Sequence, residues 1–260
     1  MGNMRIAICF SGMIRTGPES APNILRFIDT LLPNVDFFLH TWDISQDKSW
    51  NLYSQAMHDK QLQNRPVPPI KSSYPLLASM VHNYGKEFKK IKIDHYNDTS
   101  IFSKSPIPLW YSWHESIKLK QQYEQENNFT YDVVVKLRPD IIFDEHKLTD
   151  AIDNFDKDYF MCINGNITVL NDVYFIANSS TMDIASECWK KMIHNNNVNG
   201  TELGLFLKSN NINTRILGLH DITRKYNYAI YREECVLAGI SSLDWDKCHT
   251  TEQYYYADKK

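Results

Sequence analysis

The stretch "YDVVVKLRPDIIF", Tyr131 to Phe143, decides how the rest of the chain is read. Val133, Val134, Val135 and Leu137 make a nearly continuous apolar run, the pattern of a strand covered on both faces. The run stops on Arg138-Pro139-Asp140 and then resumes with apolar residues. A buried strand that ends on a cation, a rigid residue and a carboxylate needs a reason. An ionised carboxylate away from water is costly unless a cation or hydrogen bonds compensate it.

Upstream, "PLWYSWHESIKLKQQYEQE" reads as a helix. Trp110, Trp113, Ile117 and Lys120 follow at i, i+3, i+7 and i+10, and Pro108 suits its start. At the N-terminus, "MRIAICF" (Met4 to Phe10) is a short apolar strand that ends at Ser11-Gly12, followed by the polar loop "SGMIRTGPES". "APNILRFIDTLL" sets Ile24, Phe27, Ile28, Leu31 and Leu32 on one face of a helix. "VDFFLHTWD" is the next strand, with a polar tip at His40-Thr41-Trp42-Asp43. Strand, helix, strand in so short a span is a βαβ unit and favours a parallel sheet. "FKKIKIDHY", "DYFMCI" and "VYFIAN" read as further strands, and "TRILGL" and "YAIYRE" as late ones. "STMDIASECWKKMIHN" reads as one helix capped by Ser180 or Thr181, and "TELGLFLKSNN" as a helix from about Thr201. Residues 44–107 are less legible and include a proline-rich loop. No repeat and no linker divides the chain. The expected fold is one α/β domain over residues 1–260, a mostly parallel central sheet flanked by helices.

The 260 residues suffice for a large core, and hydrophobic (43%) and charged (23%) contents are those of a soluble globular protein. The net charge of −3 provides no global basic field and argues against general nucleic-acid binding, while leaving room for a local anion pocket. Five widely spaced cysteines without a Cys-x-x-Cys favour buried free thiols over zinc or disulfides. No signal peptide and no apolar stretch of membrane-spanning length is visible, so a cytoplasmic protein without a membrane span is expected.

In open α/β sheets ligands sit outside the carboxyl ends of the strands. The strand tips therefore supply the candidates: Ser11, Gly12 and Arg15 after the first strand, His40, Thr41 and Trp42 at the second, Arg138 and Asp140 at the third, Asn171 and Asp172 before "VYFIAN". Two readings of Arg138 and Asp140 stand side by side. In one they pair internally and shape the loop. In the other Asp140 holds a divalent ion and Arg138 faces phosphate oxygens, since hard cations take carboxylate plus substrate phosphate and the arginine fork matches phosphate.

"VVVKLRPDIIF" resembles the strand that carries the Asp-x-Asp motif of GT-A glycosyltransferases, with Arg138 at the position of the first Asp. The ordered set "RIAICFSGMIRT", "DFFLHTWD", "YDVVVKLRPDIIF", "NDVYFIANSSTMD" and "TELGLFLKSNNI" is similar to glycosyltransferase-like proteins of large DNA viruses and of bacterial surface-polysaccharide clusters. The resemblance covers roughly residues 4–220. It implies a GT-A-like domain, with a nucleotide-sugar half of about residues 1–143 and an acceptor half of about 144–260. A UDP- or GDP-sugar would be the donor, a glycan or other hydroxyl compound the acceptor, and Mn²⁺ or Mg²⁺ the cofactor. A viral origin would place the protein in the host cytoplasm.

Residue by residue, the resemblance assigns Phe10, Ser11, Gly12 and Arg15 to the nucleotide. His40, Thr41 and Trp42 border the cleft, and Asp140 corresponds to the more metal-directed Asp. His220 stands where a late histidine often completes the metal shell, although a lone histidine is commonly an ordinary surface or hydrogen-bonded residue. Arg138 in place of an Asp removes an anionic contact and adds a cation, so it either weakens metal binding or takes over part of the metal's work.

An inverting transfer needs a carboxylate to accept the acceptor's proton. Glu202, at a helix start beyond the motif, is the first choice and Asp172 the second. Glu202 equally suits the dipole of a helix first turn. A retaining course remains open. The competing classes are another nucleotide-dependent transferase and a non-catalytic nucleotide-sugar- or carbohydrate-binding protein. The former lacks support because neither Gly-x-Gly-x-x-Gly nor a Walker lysine follows the first strand.

Overall fold

The computed structural model describes residues 4–29, 34–44, 72–85, 88–96, 107–143, 147–163, 165–166, 169–170, 174–195, 200–217 and 228–230. The first half of the chain runs β1 (Ile6–Ser11), α1 (Gly17–Ile28), β2 (Val35–Trp42), α2 (Ser73–Tyr84), β3 (Phe88–Asp94), α3 (Ile107–Asn127), β4 (Val133–Leu137). The second runs β5 (Ile141–Phe143), α4 (Lys147–Asp153), β6 (Tyr159–Ile163), the short pair β7 (Gly165–Asn166) and β8 (Val169–Leu170), then β9 (Tyr174–Ala177). It ends with α5 (Ser179–Ser186), α6 (Cys188–Asn195), α7 (Gly200–Ser209), β10 (Asn213–Leu217) and β11 (Tyr228–Ile230).

Seven strands form the central sheet in the order β10-β6-β9-β4-β1-β2-β3. β4, β1, β2 and β3 are parallel, as are β6 and β10; β9 is antiparallel to both β4 and β6. This is the expected α/β architecture with one strand reversed. Helices cover both faces. Ile6, Ile8 and Phe10 of β1 pack with Ile24 and Ile28 of α1, Met80 and Tyr84 of α2, and Leu148 and Ile152 of α4. Ala7 and Cys9 face the other way, toward Trp110, Trp113 and Ile117 of α3, Met182 of α5, Met192 of α6 and Leu203 of α7. Burial on both faces is why β1 and β4 read as unbroken apolar runs.

The motif that opens the sequence is explained here. β4 ends at Leu137, Pro139 and Asp140 turn the chain out of the sheet, and Ile141–Phe143 continue as β5, which pairs antiparallel with β11. Asn23 of α1 holds β5 from the side: Phe143 N donates to its Oδ1 (2.8 Å) and its Nδ2 donates to Phe143 O (3.2 Å). The apolar residues resume because Ile141, Ile142 and Phe143 are all fully buried.

α1 starts at Gly17, earlier than the apolar periodicity indicates, and so contains Pro22. Proline cannot donate to the carbonyl four residues back. Asn83 of α2 takes that place, donating from Nδ2 to Pro18 O at 2.7 Å. The single helix expected over "STMDIASECWKKMIHN" is two, broken at Glu187. Its cap is Asn178, not Ser180 or Thr181: Asn178 Oδ1 accepts from Thr181 N at 2.8 Å. The helices α2 and α4 carry too weak a pattern to be read from sequence. α3 agrees with its periodicity, including Lys120, which is fully buried. Lys120 Nζ meets Glu124 Oε2 at 2.9 Å and Asp183 Oδ1 at 2.7 Å, and hydrogen-bonds to Ser179. Among the described residues no helix is long and apolar enough to cross a membrane. Cys9, Cys162 and Cys188 are buried free thiols; Cys235 and Cys248 lie outside the described residues.

Candidate functional site

The chain order of the strands reverses at β1. From β1 the chain runs outward through β2 to β3, then crosses on α3 to β4 on the other flank of β1. The crevice at the carboxyl ends of β1 and β4 is thus a topological switch point, where α/β sheets bind ligands. Ser11 pairs with His40, and Phe10 with Leu137 just before Arg138, so the three expected tips lie side by side on one sheet edge.

Three charged side chains converge there. Arg138 forks onto Asp140, with Nε donating to Oδ1 at 2.9 Å and Nη2 to Oδ2 at 2.8 Å. Arg15 Nη1 donates to Oδ2 at 3.1 Å. The Asp140 side chain is 2% exposed, that of Arg138 11% and that of Arg15 24%. Burial alone would raise the Asp140 carboxyl. The guanidinium groups of Arg138 and Arg15 more than offset it and hold that carboxyl well below the ordinary range. The internal Arg138–Asp140 pair weighed from the sequence therefore forms, and Arg15 joins it from the β1 loop.

The backbone is built around that contact. Gly12 has φ 110° and Arg15 φ 46°, both left-handed, and a non-glycine residue there carries a local cost. The chain then closes on the β4 tip through Gly17. A Cβ at Gly17 would lie 3.1 Å from Pro139 Cβ and 3.3 Å from Ile14 Cγ2 and Met80 Sδ, so a side chain there would press tightly on the β4 tip and its neighbours would have to shift. Ser20 Oγ completes the clasp, 2.6 Å from Pro139 O.

Beside this trio the β2 tip is buried. His40 and Thr41 are fully buried and Trp42 nearly so; Phe10, at the centre of the α1-side cluster, is core. His40 Nε2 stands 3.0 Å from Asp94 Oδ2 and Nδ1 2.8 Å from Ser112 Oγ, which accepts from Gly12 N at 2.7 Å. Asp, His and Ser in this order have the outline of a hydrolase relay. Ser112 is fully buried and its oxygen is engaged with Gly12, so it has no route to a substrate carbonyl. The trio instead ties the β1 loop, β2, β3 and α3 together.

Asp94 also accepts from Tyr111 Oη at 3.1 Å and pairs with Lys92 at 3.0 Å. The His40 hydrogen bond first, then Lys92, hold Asp94 well below the ordinary carboxylate range. Burial lowers the His40 imidazolium, with Asp94 opposing. A proton on His40 Nε2 faces Asp94 and leaves Nδ1 to accept from Ser112 Oγ, whose single hydroxyl proton otherwise goes to His40 O at 3.1 Å. Sequence reasoning missed Asp94, Tyr111 and Ser112. Asp94 ends a strand, as the other tips do, and could have been found by that rule. Tyr111 and Ser112 lie inside a helix and carry no such signal.

Lys136 was also missed. It is buried within β4, its Nζ 5.3 Å from the Phe175 ring centroid. Glu202 stands in the first turn of α7, half-buried, where after burial itself it helps push the Cys188 thiol up to about 12. That places it against α6. Asn171, Asp172 and His220 lie outside the described residues.

The donor set at Asp140 does not fit a metal ion. Both carboxylate oxygens accept charge-assisted bonds from guanidinium groups, and a dication there would adjoin two fixed cations. Among the described residues no group of three or more His, Cys, Asp or Glu could hold a metal. Chemically, the trio is two guanidiniums around one carboxylate at a switch point. No protein-family model matches the chain, and no curated protein sequence matches it.

Proposed function

We propose that the protein is a GT-A-like glycosyltransferase that takes a sugar from a nucleoside-diphosphate donor to a hydroxyl acceptor. The observation that carries this reading is the Arg138–Asp140–Arg15 cluster at the β1–β4 switch point. An α/β sheet offers its ligand site there, and planar guanidinium edges match phosphate oxygens. The ordered motifs of the sequence support the same class. In the reaction the acceptor oxygen bonds to the anomeric carbon while the bond from that carbon to the diphosphate oxygen breaks. The electron pair leaves with the diphosphate, and the acceptor's proton passes to a base, Glu202 or Asp172. The added charge on the diphosphate is what the arginines would stabilise. In this reading the β1 loop and the β4 tip hold the donor, and the acceptor binds on the side of the second half of the chain.

Calorimetric titration of the full chain with UDP-, GDP- and CMP-sugars, with and without Mn²⁺, tests it. Binding of one donor class, with release of the matching nucleoside diphosphate when acceptor is added, is the expected result. Donor binding without turnover on any hydroxyl acceptor would favour a non-catalytic nucleotide-sugar-binding protein. No binding of any donor would overturn the reading.

A further inference from the structure

We infer that Asp94 and Lys92, at the carboxyl end of β3, form a subsite for two neighbouring hydroxyls of a sugar ring, one donating to Asp94 Oδ1 and the other accepting from Lys92 Nζ. The inference rests on the nucleotide-sugar reading above for the class of ligand.

Three donors from three elements converge on one carboxylate oxygen. His40 Nε2 of β2 lies 3.0 Å from Asp94 Oδ2, Tyr111 Oη of α3 donates to it at 3.1 Å, and Lys92 Nζ of β3 stands 3.0 Å from it. Among the described residues none meets Oδ1. The Asp94 side chain is 25% exposed, so this second oxygen faces outward at the ligand edge of the sheet. Lys92 Nζ carries three protons. Two serve Asp94 Oδ2 and Glu115 Oε2, the latter 2.6 Å away, and the side chain is 36% exposed. An outward acceptor and an outward donor therefore stand side by side. Their partners fix them from behind: His40 is fully buried and Glu115 nearly so. Groups held in this way meet a ligand already oriented.

Charge selects the ligand. Asp94 and Glu115 are matched by Lys92 and by Lys118, whose Nζ stands 3.3 Å from Glu115 Oε1. A balanced cluster favours neither a phosphate nor a carboxylate, and the ammonium beside Asp94 opposes a metal ion. A neutral group that both donates and accepts is left, and vicinal hydroxyls do both. The surrounding rings suit such a ligand. Half-buried Tyr111 and Tyr96 flank the indole of Trp42, with centroids 5.7 and 5.4 Å away, and Trp42 is the residue paired with Asp94 in register. Aromatic side chains with a few fixed polar groups are the usual lining of a small-molecule site. β3 is two strands from β1, so the subsite lies about 10 Å across the sheet from the β1 tip, on the flank built by the first half of the chain.

Isothermal titration of the full chain with UDP, GDP, UDP-glucose and GDP-mannose, and with deoxyribose and deoxyhexose forms of those that bind, tests this. Asp94→Asn keeps an oxygen toward His40, Tyr111 and Lys92 and turns the outer atom from acceptor into donor. Lys92→Met removes the ammonium and leaves Glu115 to Lys118. Each should weaken binding by about tenfold or more, the scale of a hydrogen bond to a charged group. In wild type, deleting the contacted hydroxyl should cost a similar factor, and in Asp94→Asn it should cost under about threefold. Losses on the deoxyribose forms place the donor's ribose in the subsite. Losses confined to the deoxyhexose forms place its hexose there.

Wild-type affinity in both variants would overturn the inference. So would Asp94-dependent binding that ignores every deleted ring hydroxyl, since a base N–H would then occupy Oδ1. If no nucleotide binds, the donor reading fails and titration with glucose, galactose and mannose decides the subsite. Binding of one of them that is lost in Asp94→Asn would sustain it, and no binding would defeat it as well. Should Asp94→Asn fold poorly, Lys92→Met and the deoxy ligands decide.

Discussion

His40 shows how a single residue's burial becomes a pH dependence. Burial lowers its imidazolium in the folded state, while the unfolded side chain titrates near its ordinary value. A histidine with a depressed folded value contributes stability that is fully present above about pH 6.5 and is lost progressively below it. His114 adds the same sign: burial lowers it, with Glu187 and Glu115 opposing. The melting temperature should therefore fall as pH drops from about 7.5 to about 5.5, and His40→Gln should flatten that slope. A steeper slope in His40→Gln would show that the Asp94 pairing, not burial, governs the ring, and an unchanged slope would show that the two cancel. Asp140 acts in a different window. Its folded value is depressed, so its contribution is intact above about pH 3.9 and is lost only as pH falls further. Glu202 is the residue whose role is decided by kinetics. If it accepts the acceptor's proton, Glu202→Gln should lower kcat by about 10²–10⁴-fold with donor affinity unchanged. Near-normal turnover with a small loss of stability would leave it as support for α7.

At the scale of elements, α3 does two jobs. Its N-terminal part delivers Ser112 to the β1 loop and Tyr111 to Asp94, and its C-terminal part buries Lys120. Glu124 Oε1 in turn accepts from Tyr131 N at 2.8 Å, just ahead of β4. The ion pair thus registers α3 against the strand that ends in the candidate site. Removing one partner of a buried pair leaves the other charge uncompensated, so Lys120→Ala should destabilise by about 3–5 kcal/mol in denaturant titration. Lys120→Met combined with Glu124→Gln should cost less, because no lone charge is left behind. Along α1, Asn83→Ala should cost about 1–2 kcal/mol by orphaning Pro18 O. β3 is an edge strand whose Lys89, Lys90 and Lys92 pair with Asp36, Glu126 and Glu115, and charge there discourages pairing with a second sheet.

Across the whole molecule, β1 and β4 lie at the centre of the seven-strand sheet with helices over both faces, while β3 and β10 are its edges. Amide hydrogen exchange should therefore be slowest in Ile6–Ser11 and Val133–Leu137 and markedly faster in Phe88–Asp94. The same geometry separates what was legible from what was not. The apolar runs of "RIAICF", "DFFLH" and "DVVVKL" determined by themselves that central strands lie here and are covered on both faces. Burial of every second residue on each face leaves that mark in any order of folding. Their polar tips likewise marked the edge where Ser11, His40, Arg138 and Asp140 meet, because strands in parallel must end together. The reversal of β9, the break at Glu187 and the asparagine that replaces a missing proline donor were not legible, since each depends on a neighbour distant in sequence. So was the role of Asp140. A carboxylate after a strand is equally suited to a metal or to a guanidinium. Only the tertiary structure, by bringing Arg15 from the β1 loop across to the β4 tip, decided that both of its oxygens accept from arginine.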